Sequence, residues 1–418
     1  MMLRLLKLAL RNVLRSRARS LLTMGAIGFG VLMTLVLGAF IAGLGNAIID
    51  NVVKGKVGAI QVHRKGYDDV RENQPLDLDL PADAPWLAEI AALPGVTGVA
   101  PRLVFSGILS NGSQSGNFVG VGVDPRHDAR ALPARRQGLA GQHIGDDPGA
   151  TAVAVMGKQL ADALDAKVAR SGVAGGEGAT LSLQAATAEG QQNAMDVELI
   201  GSVDADTPFD SKRLVYVPLA FAQELLSMPG RITEVVVAVE DRGQVDAIAA
   251  QIAARLGTDY EVRTWDQLRP NVADLVRVQR MVLGAIGVVF LVIAVIGVVN
   301  TMLMSVMERT REIGTMMAVG VRRSRITLLF LAEGLALSLI GGGVGALLAL
   351  ALVSAVASAG GLQVTPPGGT SLFALIPVVP LWLYAPTLAL TLLGTLLAAA
   401  GPAWRASRLR PVEALRAL

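Results

Sequence analysis

The stretch MVLGAIGVVFLVIAVIGVVNTMLMSVM, residues 281–307, holds 27 consecutive residues without a charged side chain. A helix needs roughly 20 apolar residues to cross the hydrocarbon core of a bilayer, so this stretch predicts one membrane span. Two further uncharged runs lie at residues 21–49 and 334–404. The composition agrees, because 52% of the 418 residues are hydrophobic and 17% are charged, against about 25% charged in a soluble domain. The sequence therefore predicts a multi-pass membrane protein.

The run at residues 334–404 is long enough for more than one span. Residues 360–380 within it read GGLQVTPPGGTSLFALIPVVP, and proline and glycine at this density end a helix. We therefore expect an α-helical membrane protein with four transmembrane helices. The predicted segments are a first span at 21–45, a stalk helix and second span at 272–305, a third span at 326–357, a short outer loop at 358–380, a fourth span at 381–403 and a tail at 404–418.

The charged residues outside the spans predict the orientation. Six Lys/Arg and no acidic residue precede the first span, and segment 306–325 has five arginines against two glutamates. Cytoplasmic loops carry the excess of Lys/Arg, so both termini and segment 306–325 are expected in the cytoplasm. Residues 46–280 are then outside, with 22 basic and 30 acidic residues and a net charge of −8. This distribution argues against nucleic acid as a partner.

The first 20 residues predict a basic amphipathic helix that lies on an anionic membrane surface. On a helix, Arg4, Lys7, Arg11 and Arg15 share one stripe, opposite a stripe of apolar residues. The alternative is a simple basic flank that only sets orientation. Both interpretations place the N-terminus in the cytoplasm, and the apolar run that follows is too long for a cleavable signal peptide.

The region at residues 46–271 predicts an extracytoplasmic (periplasmic) α+β domain between the first and second spans. Its hydrophobic patterning predicts a helix over 153–168, short helices at 218–226 and 244–256, and one long helix that begins near residue 272 and continues into the second span. Strands are expected at 96–102, 104–110, 117–123, 180–184, 197–203, 232–239 and 260–264.

Several catalytic and metal-binding motifs are missing from the sequence. There is no cysteine, no G-x-x-x-x-G-K-[ST] phosphate loop, no H-E-x-x-H and no G-x-S-x-G, so we expect no catalytic, cofactor-binding or metal site and no bound ATP. The three histidines, His63, His127 and His143, are interpreted as solvated loop residues. The chain is therefore expected not to be an enzyme.

Charged and apolar residues interleave between the second and third spans, where residues 306–326 read VMERTREIGTMMAVGVRRSRI. A short amphipathic cytoplasmic helix is the expected structure. Glu308 and Glu312 lie four residues apart, and Ile313, Met316 and Met317 supply an apolar patch. The alternative is a surface loop that only obeys the charge rule for orientation.

This segment and the tail resemble bacterial ABC transporter permeases of the MacB/FtsX-like class, which includes the lipoprotein-releasing permeases LolC and LolE. The most specific similarities are ERTREIGTMMAVG followed by RRSRI, and GPAWRASRLRPVEALR at residues 401–416. LALRNVLRSRARSLLTMGAIGFGV, GVTGVAPR and VYVPLAFAQELL are similar to the first segment and to parts of the outer domain of that family. The resemblance covers essentially the whole chain.

The resemblance implies a stand-alone permease that works with separate cytoplasmic ABC ATPase subunits, which use ATP and Mg²⁺. It also implies a second permease copy or a related permease, contact with membrane lipids, and leaves open a periplasmic carrier or adaptor protein. Motion of the ATPases is expected to pass through the cytoplasmic helix to the outer domain. The residues expected to couple to the ATPase are Glu308, Arg309, Arg311, Glu312, Ile313, Met316 and Met317.

Glu333 is a carboxylate eight residues into the third span, and such residues are costly in hydrocarbon and often functional. The alternative is a structural role, in which it reaches the interface or pairs with an arginine. Small residues at 341, 342, 343 and 345 permit close helix approach and suggest a contact between two permeases.

Two functions remain open from the sequence. The first is extraction or export of a lipoprotein, lipid or hydrophobic compound by an ATP-driven permease. The second is FtsX-like transmembrane signalling that activates a cell-wall hydrolase outside the cell. The outer region favours the first, because its size resembles that of the transporters. Within the first, QVHRKGY at residues 61–67 resembles lipoprotein-release relatives. The resemblance also implies a location in the bacterial inner membrane.

Overall fold

A computed structural model describes residues 17–133, 139–147, 150–168, 178–203, 211–364, 373–378 and 381–408. The chain divides into two compact units. The helical unit comprises Met1–Asn46, Asp274–Leu362 and Ala374–Leu418, and the outer unit comprises Ala47–Ala273 with Gln363–Phe373. Most of the predicted basic helix at 1–20 and most of the tail at 404–418 lie outside the described residues.

The helices in chain order are α1 (Arg17–Val52), α2 (Pro85–Ala91), α3 (Pro125–Ala131), α4 (Lys158–Ala163), α5 (Leu219–Leu225), α6 (Val245–Leu256), α7 (Trp265–Leu268), α8 (Pro270–Glu308), α9 (Thr310–Ala318), α10 (Arg323–Ser358) and α11 (Leu381–Ser407). The strands are β1 (Ile60–Arg64), β2 (Leu80–Pro81), β3 (Val96–Ser110), β4 (Ser115–Val123), β5 (Leu139–Gly141), β6 (Val153–Gly157), β7 (Thr180–Ala186), β8 (Gln192–Val203), β9 (Leu214–Pro218), β10 (Arg231–Ile232), β11 (Glu234–Val239), β12 (Tyr260–Thr264), β13 (Leu362–Val364) and β14 (Phe373–Leu375).

Four helices of the described chain are long and apolar enough to cross a membrane, and they correspond to the four predicted spans. The second, α8, is one continuous helix of 39 residues, as the pattern from residue 272 predicts. The first is longer than expected, because α1 continues to Val52 and is followed by one π-helical turn at Val53–Val57. The predicted outer loop holds the two short paired strands β13 and β14.

The helical unit is held together by one apolar cluster to which all five of its helices contribute. Ile27 of α1, Val298 of α8, Ile313 of α9, Phe330 of α10 and Ala399 of α11 are all buried in it. A buried apolar side chain of this size contributes about 1.5–3 kcal/mol in water, but lipid-facing helices gain less, so close packing matters more here.

Glycines bring α1 and α10 into direct backbone contact. A Cβ at Gly345 would lie 2.2 Å from the carbonyl oxygen of Gly28, and a Cβ at Gly28 would lie 2.8 Å from the carbonyl oxygen of Gly341. No side chain larger than hydrogen fits at these positions without a backbone shift. Gly341 and Gly345 therefore form a contact within one chain, which corrects the expectation that they face a second permease.

The outer unit is built on a ten-stranded mixed sheet. Its main path runs β12-β1-β11-β3-β4-β9-β6-β8-β5, and β7 pairs with β3 and β8. Strand β1 lies between β11 and β12, with Ile60 opposite Thr264 and Arg64 opposite Tyr260. The two ends of the larger segment of the outer unit, Ala47–Ala273, are thus neighbours in the sheet, and this segment forms an α+β insertion between α1 and α8.

Three predicted elements of the outer unit are wrong in detail. Residues 153–168 were expected as one helix, but Val153–Gly157 is the fully buried strand β6 and only Lys158–Ala163 is helical. A buried strand shows no alternation of polar and apolar residues, and it cannot be told from helix by periodicity. The expected strands at 96–102 and 104–110 are one strand, β3, which continues through Leu103 and forms the hairpin with β4.

Candidate functional site

The site begins at the break between α8 and α9. Arg309 lies between the two helices with φ −106° and ψ 17° and caps the N-terminus of α9. The hydroxyl of Thr310 donates to the carbonyl oxygens of Val306 at 3.0 Å and Met307 at 2.9 Å. These are carbonyls that the end of α8 leaves without helical partners, so the Thr310 hydroxyl stabilises the break between the two helices.

Arg309 joins α9 to α10 through two carboxylates. Its Nε donates to Oε2 of Glu312 at 3.1 Å, and its Nη1 lies 3.5 Å from Oε2 of Glu333. The guanidinium also lies 6.0 Å from the ring centroid of Phe330, one turn before Glu333. Glu333 is 5% exposed. The arginine pairing that the sequence left as an alternative for Glu333 is thus present.

The residues predicted to couple to the ATPase divide between two faces of α9. Ile313 is 1% exposed and packs inside its own chain, with Met316 and Met317 half-buried beside it. Arg311 and Thr315 are exposed on the opposite face. Ile313 is therefore an anchor of α9 on the helical unit, which corrects the expectation that it forms the centre of a contact with another protein.

Val319 belongs to the exposed face and was missed by sequence reasoning. It is 82% exposed, the largest exposed fraction among the large apolar side chains of the described chain. Helical spacing from Arg311 through Thr315 to Val319 was the signal that could have identified it. Gly320, with φ +93°, ends α9 in a Schellman arrangement, because its N–H donates to Met317 O and the next N–H donates to Met316 O.

An apolar cavity of about 440 Å³ lies inside the helical unit between α1, α8 and α11. Its walls include Ile27, Phe290, Leu291 and Leu390, and Arg280 and Trp382 also contribute to the lining. The volume lies within the range of sites for small molecules.

The outer unit contains a buried ionic cluster. Arg102, 3% exposed, contacts Asp128 at 2.9 Å and Glu234 at 3.5 Å. Burial alone would lower the pKa of Arg102, but the two carboxylates outweigh burial and leave this pKa raised. The guanidinium therefore stays charged and holds β3, α3 and β11 together.

Two of the three histidines, His63 and His143, differ from their predicted solvated role. His63 of β1 is fully buried and stacks on Tyr67 with ring centroids 4.4 Å apart, and burial lowers its pKa to about 4. Burial also raises the pKa of the Tyr67 hydroxyl. His143 is buried as well, whereas His127 is exposed beside Asp124 at 3.0 Å. Among the described residues no three His, Asp or Glu side chains come together as metal ligands.

Two family descriptions match the sequence. "MacB-like periplasmic core domain" matches residues 20–255, and "FtsX-like permease C-terminal" matches residues 284–411. The first covers more than half of the chain. The protein therefore belongs to the MacB/FtsX-like family of ABC transporter permeases, and it is a multi-pass membrane protein with a large α+β domain between its first two spans.

Similar proteins named MacB occur in several bacteria. A protein of Brucella abortus named macrolide export ATP-binding/permease protein MacB is 35% identical over 49% of this chain and 30% of that protein. MacB 2 of Aeromonas hydrophila is 27% identical over 83% of this chain and 52% of that protein. The periplasmic region of MacB from Actinobacillus actinomycetemcomitans matches with a TM-score of 0.35 and 15% identity, over 54% of this chain and 98% of that chain. The chain spans about half or less of the length of these two full-length relatives.

Proposed function

We propose that this protein is the permease subunit of an ATP-driven ABC transporter, and that it uses ATPase motion to extract or export a lipoprotein, lipid or hydrophobic compound. The observation that carries the proposal is the construction of α9. One face is anchored in the helical unit through Ile313 and Arg309, and the opposite face is exposed. A helix held in this way transmits a push on its exposed face to the helices behind it.

The contacts of Arg309 indicate which helices would move when α9 is displaced. Arg309 directly follows α8 and contacts Glu333 of α10, so α9 is tied to both neighbours. Because α8 is a single helix from Pro270 to Glu308, displacement at its cytoplasmic end is carried along its length. The same chain then joins β12 of the outer unit through the short helix α7. These connections form the proposed mechanical route from the ATPase to the outer domain.

We further propose that a separate ABC ATPase subunit docks on the exposed face of α9, formed by Arg311, Thr315 and Val319. Membership of an ABC transporter permease family supports an ATPase partner. A second permease copy or a related permease completes the proposed complex, with both termini in the cytoplasm. Apolar anchors usually dominate interface energy, whereas rim charges tune encounter and specificity.

An apolar substrate is favoured by the cavity in the helical unit. Its lining is mostly apolar and contains one charged side chain, Arg280, within the described chain, and a conduit for ions or sugars would need several polar groups. The names of the relatives refer to macrolide export, which is also consistent with a hydrophobic cargo. Lipoprotein release remains part of the proposal, and FtsX-like signalling is the alternative.

The docking proposal is tested with Val319→Asp in the full chain. We expect at least a tenfold loss of ATPase co-purified with the permease, because a charge replaces the apolar anchor. Arg311→Ala should have a milder effect. The matched control is Val70→Asp. Val70 is also an exposed valine, but it lies in the outer unit and away from α9. Equal ATPase recovery with Val319→Asp and with Val70→Asp would show that the docking surface lies elsewhere.

The two functional classes are separated by the cargo. A reconstituted export or extraction permease moves a fluorescent lipopeptide or hydrophobic compound out of the bilayer when ATP is added. A signalling subunit would instead show ATP-dependent activation of a cell-wall hydrolase and no cargo movement. Cargo release that stops with a non-hydrolysable ATP analogue is the expected result.

A further inference from the structure

A polar cleft of about 580 Å³ opens within the outer unit, apart from the membrane helices and α9. Its apolar wall includes Val104, Val119, Val121 and Leu214 of the sheet. Most of the remaining lining is charged or polar, and four of the lining residues are arginines: Arg71, Arg102, Arg213 and Arg269. This combination of an apolar wall and convergent charged groups is typical of small-molecule sites.

The charge of the cleft is balanced at its floor. Four arginines and two glutamates, Glu72 and Glu234, line the cleft, and two further carboxylates pair with its arginines: Asp128 lies 2.9 Å from Arg102 and Asp68 lies 3.8 Å from Arg71. Attraction of an anion therefore depends on the arginines nearer the rim, Arg213 and Arg269.

The floor of the cleft is ordered because its polar groups are paired, and Arg102 is also buried. Arg102 is fixed by Asp128 and Glu234. Arg71 donates through Nη2 to Oε1 of Gln61 at 2.8 Å, and the buried Tyr67 stacks on His63 behind it. A site whose groups are already ordered loses little entropy when a ligand binds.

Arg269 provides a positive charge at the rim of the cleft that can bind a ligand. Arg269 is exposed and lines the cleft, and within the described part of the chain its guanidinium makes no hydrogen bond or ion pair. Arg213 lines the same cleft and is half-buried. Arginine recognises phosphate and carboxylate by paired, charge-assisted hydrogen bonds.

We propose that this cleft binds a small organic anion, with a phosphate or carboxylate group held by Arg269 and Arg213 and an apolar body lying against the valines of β3 and β4. This site is distinct from the apolar cavity in the helical unit and does not depend on ATPase docking at α9. It gives the outer domain a ligand of its own.

The test measures binding of three matched probes to the full-length protein in nanodiscs of phosphatidylcholine: 1-naphthyl phosphate, 1-naphthoate and the neutral 1-naphthalenemethanol. Equilibrium dialysis against empty nanodiscs corrects for partition into lipid. We expect at least one anion to bind roughly tenfold more tightly than the alcohol, and its binding to weaken as salt is raised. The two anions distinguish phosphate from carboxylate recognition.

Arg269→Gln should weaken anion binding roughly tenfold, because a charge-assisted hydrogen bond is lost. The matched control is Arg255→Gln, which changes an exposed arginine of α6 outside the cleft. An unchanged thermal midpoint shows that either variant is folded. The proposal is overturned if neither anion binds better than the alcohol, or if Arg269→Gln and Arg255→Gln have the same effect.

Discussion

Arg309 balances two carboxylates with a single guanidinium, at the point where three helices of the same unit meet. Glu312 is half-exposed, so its pairing is weakened by solvent. Glu333 is almost fully buried at 3.5 Å from Nη1, so its charge depends on Arg309. Removing one partner of a buried pair leaves the other charge uncompensated, which costs more than the pair itself contributes.

Arg309→Met is therefore expected to destabilise the helical unit by about 2 kcal/mol, below the usual cost for a fully buried pair because Arg309 is partly exposed. Arg309→Met combined with Glu333→Leu should recover much of this loss, since neither charge then remains buried alone. Thermal unfolding in detergent measures both. A double variant less stable than Arg309→Met would contradict this account of Glu333.

His63 predicts how the stability of the outer unit depends on pH. Its pKa is about 4 in the folded chain, below the ordinary 6.5, so the unfolded chain binds a proton more readily between these values. The contribution of His63 to the free energy of unfolding is fully present above pH 6.5. It is lost as the pH falls from 6.5 towards 4. At pH 5 the loss is about 2 kcal/mol.

We expect His63→Phe, which keeps a ring on Tyr67, to reduce the drop in thermal midpoint between pH 7 and pH 5. Tryptophan fluorescence of the full-length protein measures the midpoint. His127→Phe is the control, because His127 is exposed. If both variants retain the wild-type pH dependence, another group controls acid unfolding.

The contact between α1 and α10 makes a prediction for a whole element. Gly345→Ala should destabilise the helical unit, because the new Cβ would lie 2.2 Å from the backbone oxygen of Gly28. In the same helix, Gly343→Ala meets nothing within 4 Å and should be neutral or stabilising by up to about 1 kcal/mol, the helix propensity of alanine over glycine. Thermal midpoints in detergent compare the two. Equal effects would mean that this backbone contact does not limit stability.

The elements show which features the sequence could predict. Uncharged length alone identifies α8 and the other spans, because hydrocarbon tolerates few charges. Amphipathic spacing identifies α9 as a helix, but it cannot tell whether Ile313 packs on its own chain or on a partner, since both bury the same face. The role of the glycines is equally ambiguous, because small residues permit contact with any helix. The polar cleft of the outer unit was not predicted, because its lining residues come from distant parts of the sequence.

At the scale of the whole molecule, the orientation of the four spans is open to direct test. The chain has no cysteine, so single introduced cysteines can be labelled without background. Ser113→Cys in the β3–β4 turn and Ser358→Cys at the end of α10 should react with an impermeant maleimide outside intact spheroplasts, whereas Ser324→Cys should not. All three serines are exposed. Outside labelling at Ser324→Cys would overturn the proposed topology.

The pairing of β1 with β12 determines how the outer unit responds to mechanical load. The segment from α1 enters β1 at Ile60, and the segment to α8 leaves β12 at Thr264, so both connections meet at the same end of one antiparallel ladder. The N–H of Trp265 also donates to Ala59 O at 3.0 Å, just beyond that end. Forces that pull the two connections apart would open this ladder like a zipper, one hydrogen bond after another, because its bonds lie across the strands. Forces that move both connections in the same direction load no single bond and carry the sheet along as a rigid body.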